Sequence, residues 1–352
     1  MIDLTNLEEI RKLDPKDVYG STNLFIEQCK QIHDIVDLEL EGSAQYYNNQ
    51  NLDCVVFSGM GGSAYGGHVA VSLFKDELSI PAIVNNDYGL PLFVNCDSLV
   101  ILTSYSGNTE ETLASYDESK IVNAHTIGLT SGGELAKKME NESEGDLVIF
   151  DPKNNPSGQP RLGTGYIVLG TIEILRNLGF LKIAGEEILA AVNETEKNIE
   201  KVKKNAMELS KKIFEKIPLI LTGSIFEGNA HIIRNQFNET AKSFSSFHVI
   251  PEANHHAMEG FKNPKNKKFI SLFLDSDLYS EKIKKRIELT KEVVQKNNID
   301  ILSYKASGKS KLSQCLEFLA FGGYLTFYLS LLYGQDPSLI PWVDYFKEHL
   351  NK

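Results

Sequence analysis

From residue 54 onward, short apolar runs alternate with longer amphipathic stretches, and this alternation limits the fold more than any other feature of the chain. The runs fall at 54–57, 80–84, 99–102, 126–129 and 147–150. Each is nearly continuous in apolar residues, as in a strand buried on both faces, and the stretches between them are long enough for crossover helices. Strand followed by helix, repeated, predicts a doubly wound parallel sheet. The pattern halts at 151–165, DPKNNPSGQPRLGTG, which is dense in Pro, Gly and Asn and reads as either a linker or a site loop. Helical periodicity follows over 166–178, and a charged helix over 186–216. After Pro218 the alternation resumes at 219–221, 247–250, 269–273 and 299–302.

The second half echoes the first: LILTGSIFEG at 219–228 repeats the pattern of VVFSGMGGSAYG at 55–66. An internal duplication is the economical reading, and 352 residues suit two domains better than one core. The expected fold is therefore α/β, with two doubly wound domains, each a mostly parallel sheet flanked by helices. The first domain is expected over 1–185, with a helical N-terminal extension turning Leu24, Ile26, Ile32, Ile35 and Val36 inward. A connecting helix spans 186–216 and the second domain 217–352. Polar stretches at 48–53 and 280–296 read as extensions.

A net charge of −11 argues against nucleic acid or an anionic membrane as partner, so an anionic ligand must be held by local donors. Cys29, Cys54, Cys96 and Cys315 show no paired spacing, which points to a reducing, cytoplasmic setting and to no zinc knuckle. The first residues, MIDLTNLEEIRKLD, do not read as a secretory signal. The charge-free segment 318–334 approaches a membrane span in length, but Glu317 abuts it and hydroxyls punctuate it, so it reads as a buried helix.

Residues 98–111, SLVILTSYSGNTEE, join a buried strand, a hydroxyl-rich loop and a helix start. Ser104, Ser106 and Thr109 supply hydroxyls, Gly107 permits a tight bend, and Asn108 with Glu111 resembles a capping box. Unpaired N–H groups of the first helical turn and these hydroxyls suit one phosphate dianion; a capped turn with solvated hydroxyls is the alternative. GMGGSA at 59–64 fits the dinucleotide fingerprint, with Asp87 where a ribose-binding acid belongs. Ser63 adds a hydroxyl to that turn, and the second phosphate-type loop suits a phosphosugar clasped between two strand ends. Gly308-Lys309-Ser310 resembles the end of a nucleotide P-loop but fails the spacing, because Ser303 stands where Gly is required.

Arg161 lies in the Gly-rich loop, either stabilising developing oxyanion charge or on the surface. Over 229–244 an amphipathic helix places Ile233, Phe237, Ala241 and Phe244 on one face; by periodicity alone Glu239 on the other edge is a solvated glutamate. His255 and His256 follow a strand end without further metal ligands, so a proton shuttle is more natural than a metal pair. Lys347, unaided, reads as a surface lysine.

With these residues assembled, the sequence resembles the bifunctional phosphoglucose/phosphomannose isomerase family, whose members are built from two sugar-isomerase (SIS) domains. The matches are GMGGSAYGG at 59–67, SYSGNTEET at 104–112, PRLGTGY at 160–166, the NQFNETAK run around Glu239, PEANHHAMEG at 251–260 and the DP…D-x-x-K ending at Lys347. They run through nearly the whole chain in the family's order.

The resemblance implies that Gly61, Gly62, Ser63, Ser104, Ser106 and Thr109 hold a sugar phosphate. Glu239 would move a proton between C2 and C1, and Arg161 would stabilise the enediolate. His255, supplied by the neighbouring subunit of a homodimer, would assist ring opening with Lys347; the 16-residue step from Glu239 favours His255 over His256. Ser338 replaces the family's usual threonine and is a candidate contact to a substrate hydroxyl. The implied activity is cofactor-free and metal-free aldose–ketose isomerisation of glucose 6-phosphate and mannose 6-phosphate with fructose 6-phosphate. A non-catalytic sugar-phosphate sensor and a nicotinamide-dinucleotide enzyme are the alternatives.

Overall fold

The computed structural model describes residues 2–142 and 145–350. The first sheet contains β1 (Cys54–Ser58), β2 (Ala82–Asn85), β3 (Ser98–Ser104), β4 (His125–Thr130) and β5 (Asp146–Ile149), all parallel, in the order β2-β1-β3-β4-β5. The second contains β6 (Ile217–Gly223), β7 (Ser246–Ile250), β8 (Phe269–Asp275) and β9 (Asp300–Lys305), also parallel, in the order β7-β6-β8-β9. Every apolar run read as a strand is one. All seven residues of β3 are buried, because helices cover both faces of a central strand.

The elements around the site are α1 (Phe25–Glu39), α2 (Tyr65–Leu73), α3 (Glu110–Ile121), α4 (Gly133–Glu142), α5 (Gly170–Asn177), α6 (Gly185–Ile213), α7 (Glu227–Glu239), α8 (Glu281–Lys296), α9 (Lys311–Leu332) and α10 (Pro341–Leu350). In each sheet the first strand ends in a turn and a helix, α2 after β1 and α7 after β6. These two helices pack on each other, and Gly228 N donates to Ser72 Oγ at 3.0 Å across the joint. That contact joins the end of α2 to the start of α7, so the opposite end of α7, at Glu239, lies at the carboxyl side of the first sheet.

Helix α9 is long and apolar enough to cross a membrane, yet it lies wholly buried inside the protein, along α6. Past its midpoint Tyr324 Oη reaches Asn23 Oδ1 at 2.9 Å, so C-terminal sequence is interlocked with the N-terminal helices. Glu317, at its start, is buried and accepts from Tyr304 Oη, from the Ser307 N–H and hydroxyl, and from Gly308 N. The loop whose end resembles a P-loop thus wraps an internal carboxylate.

Two expectations are corrected. The stretch 280–296 is no extension: it is α8, the crossover helix between β8 and β9, capped by Ser280 and burying Ile287, Thr290 and Val294. Of the residues expected inward near the N-terminus, Ile26, Ile32 and Val36 are buried, but Leu24 and Ile35 are only half-buried, while polar Gln28 and His33 are buried beside them.

His33 explains its own burial. Its Nδ1 lies 2.5 Å from Glu173 Oε1 on α5, and Arg176 Nε holds the other Glu173 oxygen at 2.6 Å. The hydrogen bond to Glu173 raises His33 above its ordinary 6.5 against the opposing effect of burial. A group whose folded pKa is raised contributes stability that is complete below its unfolded pKa and is lost as pH climbs through the folded value. Glu173→Gln should cost about 3–5 kcal/mol by leaving the buried His33 without its carboxylate, while Arg176 keeps its pairing with Asp37. Urea unfolding at about pH 6 and about pH 9 should show the wild type losing stability toward the alkaline side and the variant losing less.

Candidate active site

The carboxyl ends of β1 and β3 open into one cavity of about 590 Å³. It is walled by the 60–63 turn, by Tyr105, Ser106, Asn108 and Thr109, by Pro160 and Arg161, by Glu239 at the end of α7, and by Val343, Phe346 and Lys347 of α10. Residues from 60 to 347 therefore meet at the crevice where parallel-sheet proteins take ligands.

The two glycine- and hydroxyl-bearing loops are tied together. Ser63 Oγ accepts the Tyr105 N–H at 2.9 Å, which leaves its proton free to be donated to a ligand. Ser106 and Thr109 line the cavity; Ser104 lies beneath them, fully buried, with its hydroxyl 2.8 Å from Thr109 Oγ1. The expected capping box does not form: Thr109, not Asn108, is the N-cap, and Asn108 Oδ1 instead accepts from Glu134 N on α4. Gly107 has φ of +69°, and a Cβ there would lie 1.8 Å from the Gly132 carbonyl oxygen. Gly107→Ala should deform the loop at a cost on the order of 1–3 kcal/mol. Calorimetric titration with inorganic phosphate should then show roughly tenfold weaker binding.

Gly61 and Gly62 form a short turn ahead of α2. A Cβ on Gly62 would come within 3.0 Å of Arg161 Cα, so the missing side chain lets the arginine loop lie on the first phosphate-type loop. Arg161 is 2% exposed, which rejects the surface alternative. Its Nε donates to Thr240 Oγ1, Nη1 to Gln159 Oε1, and Nη2 to the Pro337 and Ser338 carbonyls. Four of a guanidinium's five N–H groups are thereby committed, and one on Nη1 remains for the cavity.

Helix α7 stops at Glu239, several residues before the periodicity predicts. Phe244, expected on the buried face, is 70% exposed as a result. The early stop places Glu239 half-buried at a helix C-terminus, where the dipole disfavours negative charge. Burial raises its pKa, while the charges of Arg161 and Lys347 pull it down. The solvated glutamate of the periodicity reading is thus a carboxylate facing a buried cation across a cavity.

Ser338 is buried and does not line the cavity; its hydroxyl donates to Asp336 Oδ1 at 2.6 Å, and only its carbonyl meets Arg161. His255 and His256 are exposed on the loop after β7, outside the cavity lining. His256 Nε2 pairs with Glu252 Oε2 at 2.6 Å, whereas His255 has no hydrogen-bond partner among the described residues.

Lys242 was missed, although it closes the NQFNETAK run. Its ammonium donates to the Thr240 carbonyl at 3.2 Å and to the Asp336 carbonyl. Burial lowers its pKa to about 8, with Arg161 adding repulsion and Asp336 opposing it. It lines a second cavity of about 660 Å³ that shares Glu239 with the first.

The equivalent crevice of the second sheet is closed. Tyr279 Oη accepts from Gly223 N at 3.1 Å and donates to the Leu274 carbonyl, and a Cβ on Gly223 would lie 2.6 Å from the Tyr279 ring. Among the described residues, the crevice that stands open at a first strand's end is that of the first sheet, and both of its glycine- and hydroxyl-bearing loops line it.

Residues 202–350 match the bacterial phospho-glucose isomerase C-terminal SIS domain. The chain is 32% identical over 317 residues to a bifunctional phosphoglucose/phosphomannose isomerase of Caldicellulosiruptor bescii, an alignment covering 86% of this chain and 90% of that one. It is 30% identical over 301 residues to the protein of the same description from Aquifex aeolicus, covering 85% and 90%. Among solved structures, tagatose-6-phosphate ketose/aldose isomerase from Escherichia coli superposes with a TM-score of 0.70 at 14% identity, over 95% of this chain and 96% of that one. At that identity the likeness speaks for the fold.

Proposed function

The chain belongs to the bifunctional phosphoglucose/phosphomannose isomerase family, and from that membership we infer that it interconverts glucose 6-phosphate and mannose 6-phosphate with fructose 6-phosphate. The observation that carries the reading to this cavity is the meeting of Glu239, Arg161 and Lys347 with both phosphate-type loops in a space of hexose-phosphate size.

The phosphate is held at one end by the Gly61, Gly62 and Ser63 turn and by Ser106 and Thr109, with Ser104 supporting Thr109 from below. At the other end Glu239 takes the C2 proton. The C–H electron pair forms the C1=C2 bond, and negative charge settles on O1, where the remaining Arg161 N–H meets it. Glu239 returns the proton to C1, the O2 hydroxyl proton passes to O1, and the carbonyl stands at C2. This is an intramolecular redox exchange between two carbons of one substrate. A base with a raised pKa sits nearer neutrality, which suits reversible transfer.

Ring opening falls to Lys347 and His255. Because His255 is exposed and lies off the cavity of its own chain, the reading requires a homodimer in which the partner supplies it. The four unpaired cysteines suit a cytoplasmic setting. Purified protein with fructose 6-phosphate should yield both glucose and mannose 6-phosphate, at a rate unchanged by chelator. Binding of the sugar phosphate without turnover would overturn the reading.

A further inference from the structure

Helix α10 presents an unusual combination. Each of its residues is exposed, and its single tryptophan, Trp342, is 82% exposed, yet its Val343, Phe346 and Lys347 form a wall of the cavity. Among the described residues, the polar contacts that fix this segment lie in its stem, where Pro337 and Ser338 are buried. Arg161 grips the Pro337 and Ser338 carbonyls, Asp336 Oδ1 accepts from Ser338 N at 2.7 Å, and Lys242 grips the Asp336 carbonyl. Arg161 is already committed to the reaction. Lys242 is not, and its second bond goes to the carbonyl of Thr240, the residue that follows Glu239. The backbone at Lys242 is left-handed, with φ of +51°, which turns the chain after α7 back toward the stem.

We propose that Lys242 is a positioning residue for the isomerisation: by joining the Thr240 and Asp336 carbonyls it fastens the stem of α10 to the end of α7, and so holds Lys347 opposite Glu239. The inference rests on the isomerase reading for its kinetic consequence, but the fastening itself is independent of turnover. An ammonium bridging two carbonyls is replaceable by a guanidinium and not by a thioether of similar length.

Lys242→Met should therefore lower kcat on fructose 6-phosphate by on the order of ten- to a hundredfold while leaving KM unchanged, since the phosphate end is untouched and only the far end is misplaced. Lys242→Arg should recover most of the loss. In a Lys347→Met background, Lys242→Met should add nothing, because its effect is routed through Lys347. Losses that multiply, or an effect on KM alone, would overturn the proposal. Trp342 gives a readout that needs no turnover, being the chain's one tryptophan and lying on α10 itself. Its fluorescence anisotropy should fall in Lys242→Met and return in Lys242→Arg; equal anisotropy in all three proteins would refute the fastening. A wild-type protein without isomerase activity would instead sink the functional reading, and the anisotropy comparison would still decide the role of Lys242.

Discussion

Glu239→Gln is expected to lower kcat in both directions by about 10³-fold, within the range that a positioned general base contributes. Incorporation of solvent deuterium at C2 of glucose 6-phosphate should cease, as followed by proton NMR. Sugar-phosphate affinity should hold, because in the proposed reading the phosphate is gripped by the loops after β1 and β3 and not by Glu239. The pH profile carries a sign. In the proposed reaction the carboxylate is the active form, and burial raises its pKa, so the acidic limb of kcat/KM should lie above the ordinary carboxylate value of 4.5, with activity rising as pH climbs through it. Exchange persisting at the wild-type rate would transfer the proton chemistry to another group.

Arg161→Met has the second largest expected effect, and it should be seen in two observables at once. In the proposed reaction, removing the one N–H left for the cavity takes away the oxyanion donor, worth about 10²–10³ in kcat. The same change strips Thr240, Gln159, Pro337 and Ser338 of their donor. Each buried acceptor left unpaired costs about 1–3 kcal/mol, so the melting temperature should fall as well. Arg161→Lys should not rescue, because an ammonium cannot make the planar fork that spans two carbonyls and a side-chain oxygen. Since the guanidinium holds the Glu239 pKa down, its loss should also move the acidic limb of any residual activity to higher pH. A limb that stays in place would mean the two groups are not coupled.

The legible and illegible parts of this chain divide along a physical line. Strands announce themselves through a short run of apolar residues because a parallel sheet buries both faces, so all nine were readable. The two phosphate-type loops were readable because glycine at a bend and hydroxyls at a strand end are local chemistry. Asn108 shows the limit even there: the spacing to Glu111 suggested a cap, but α4 offered a backbone N–H, and the tertiary contact won. Phe244 shows it again, since a helical face carries no information on where the helix stops.

What the sequence determined by itself is the architecture of two parallel sheets, the glycine- and hydroxyl-bearing loops that meet at one crevice, and the family. What only the tertiary structure decided is the environment of Arg161, Glu239, Lys242 and Lys347. Periodicity reports the direction in which a side chain leaves its own element; whether that direction leads to water or to a cavity depends on elements far away in sequence. The stem at 336–338 binds Arg161 and Lys242, and α10 walls the cavity beside Glu239, so Glu239 and Lys347, which read as surface charges, face the buried Arg161 across one cavity.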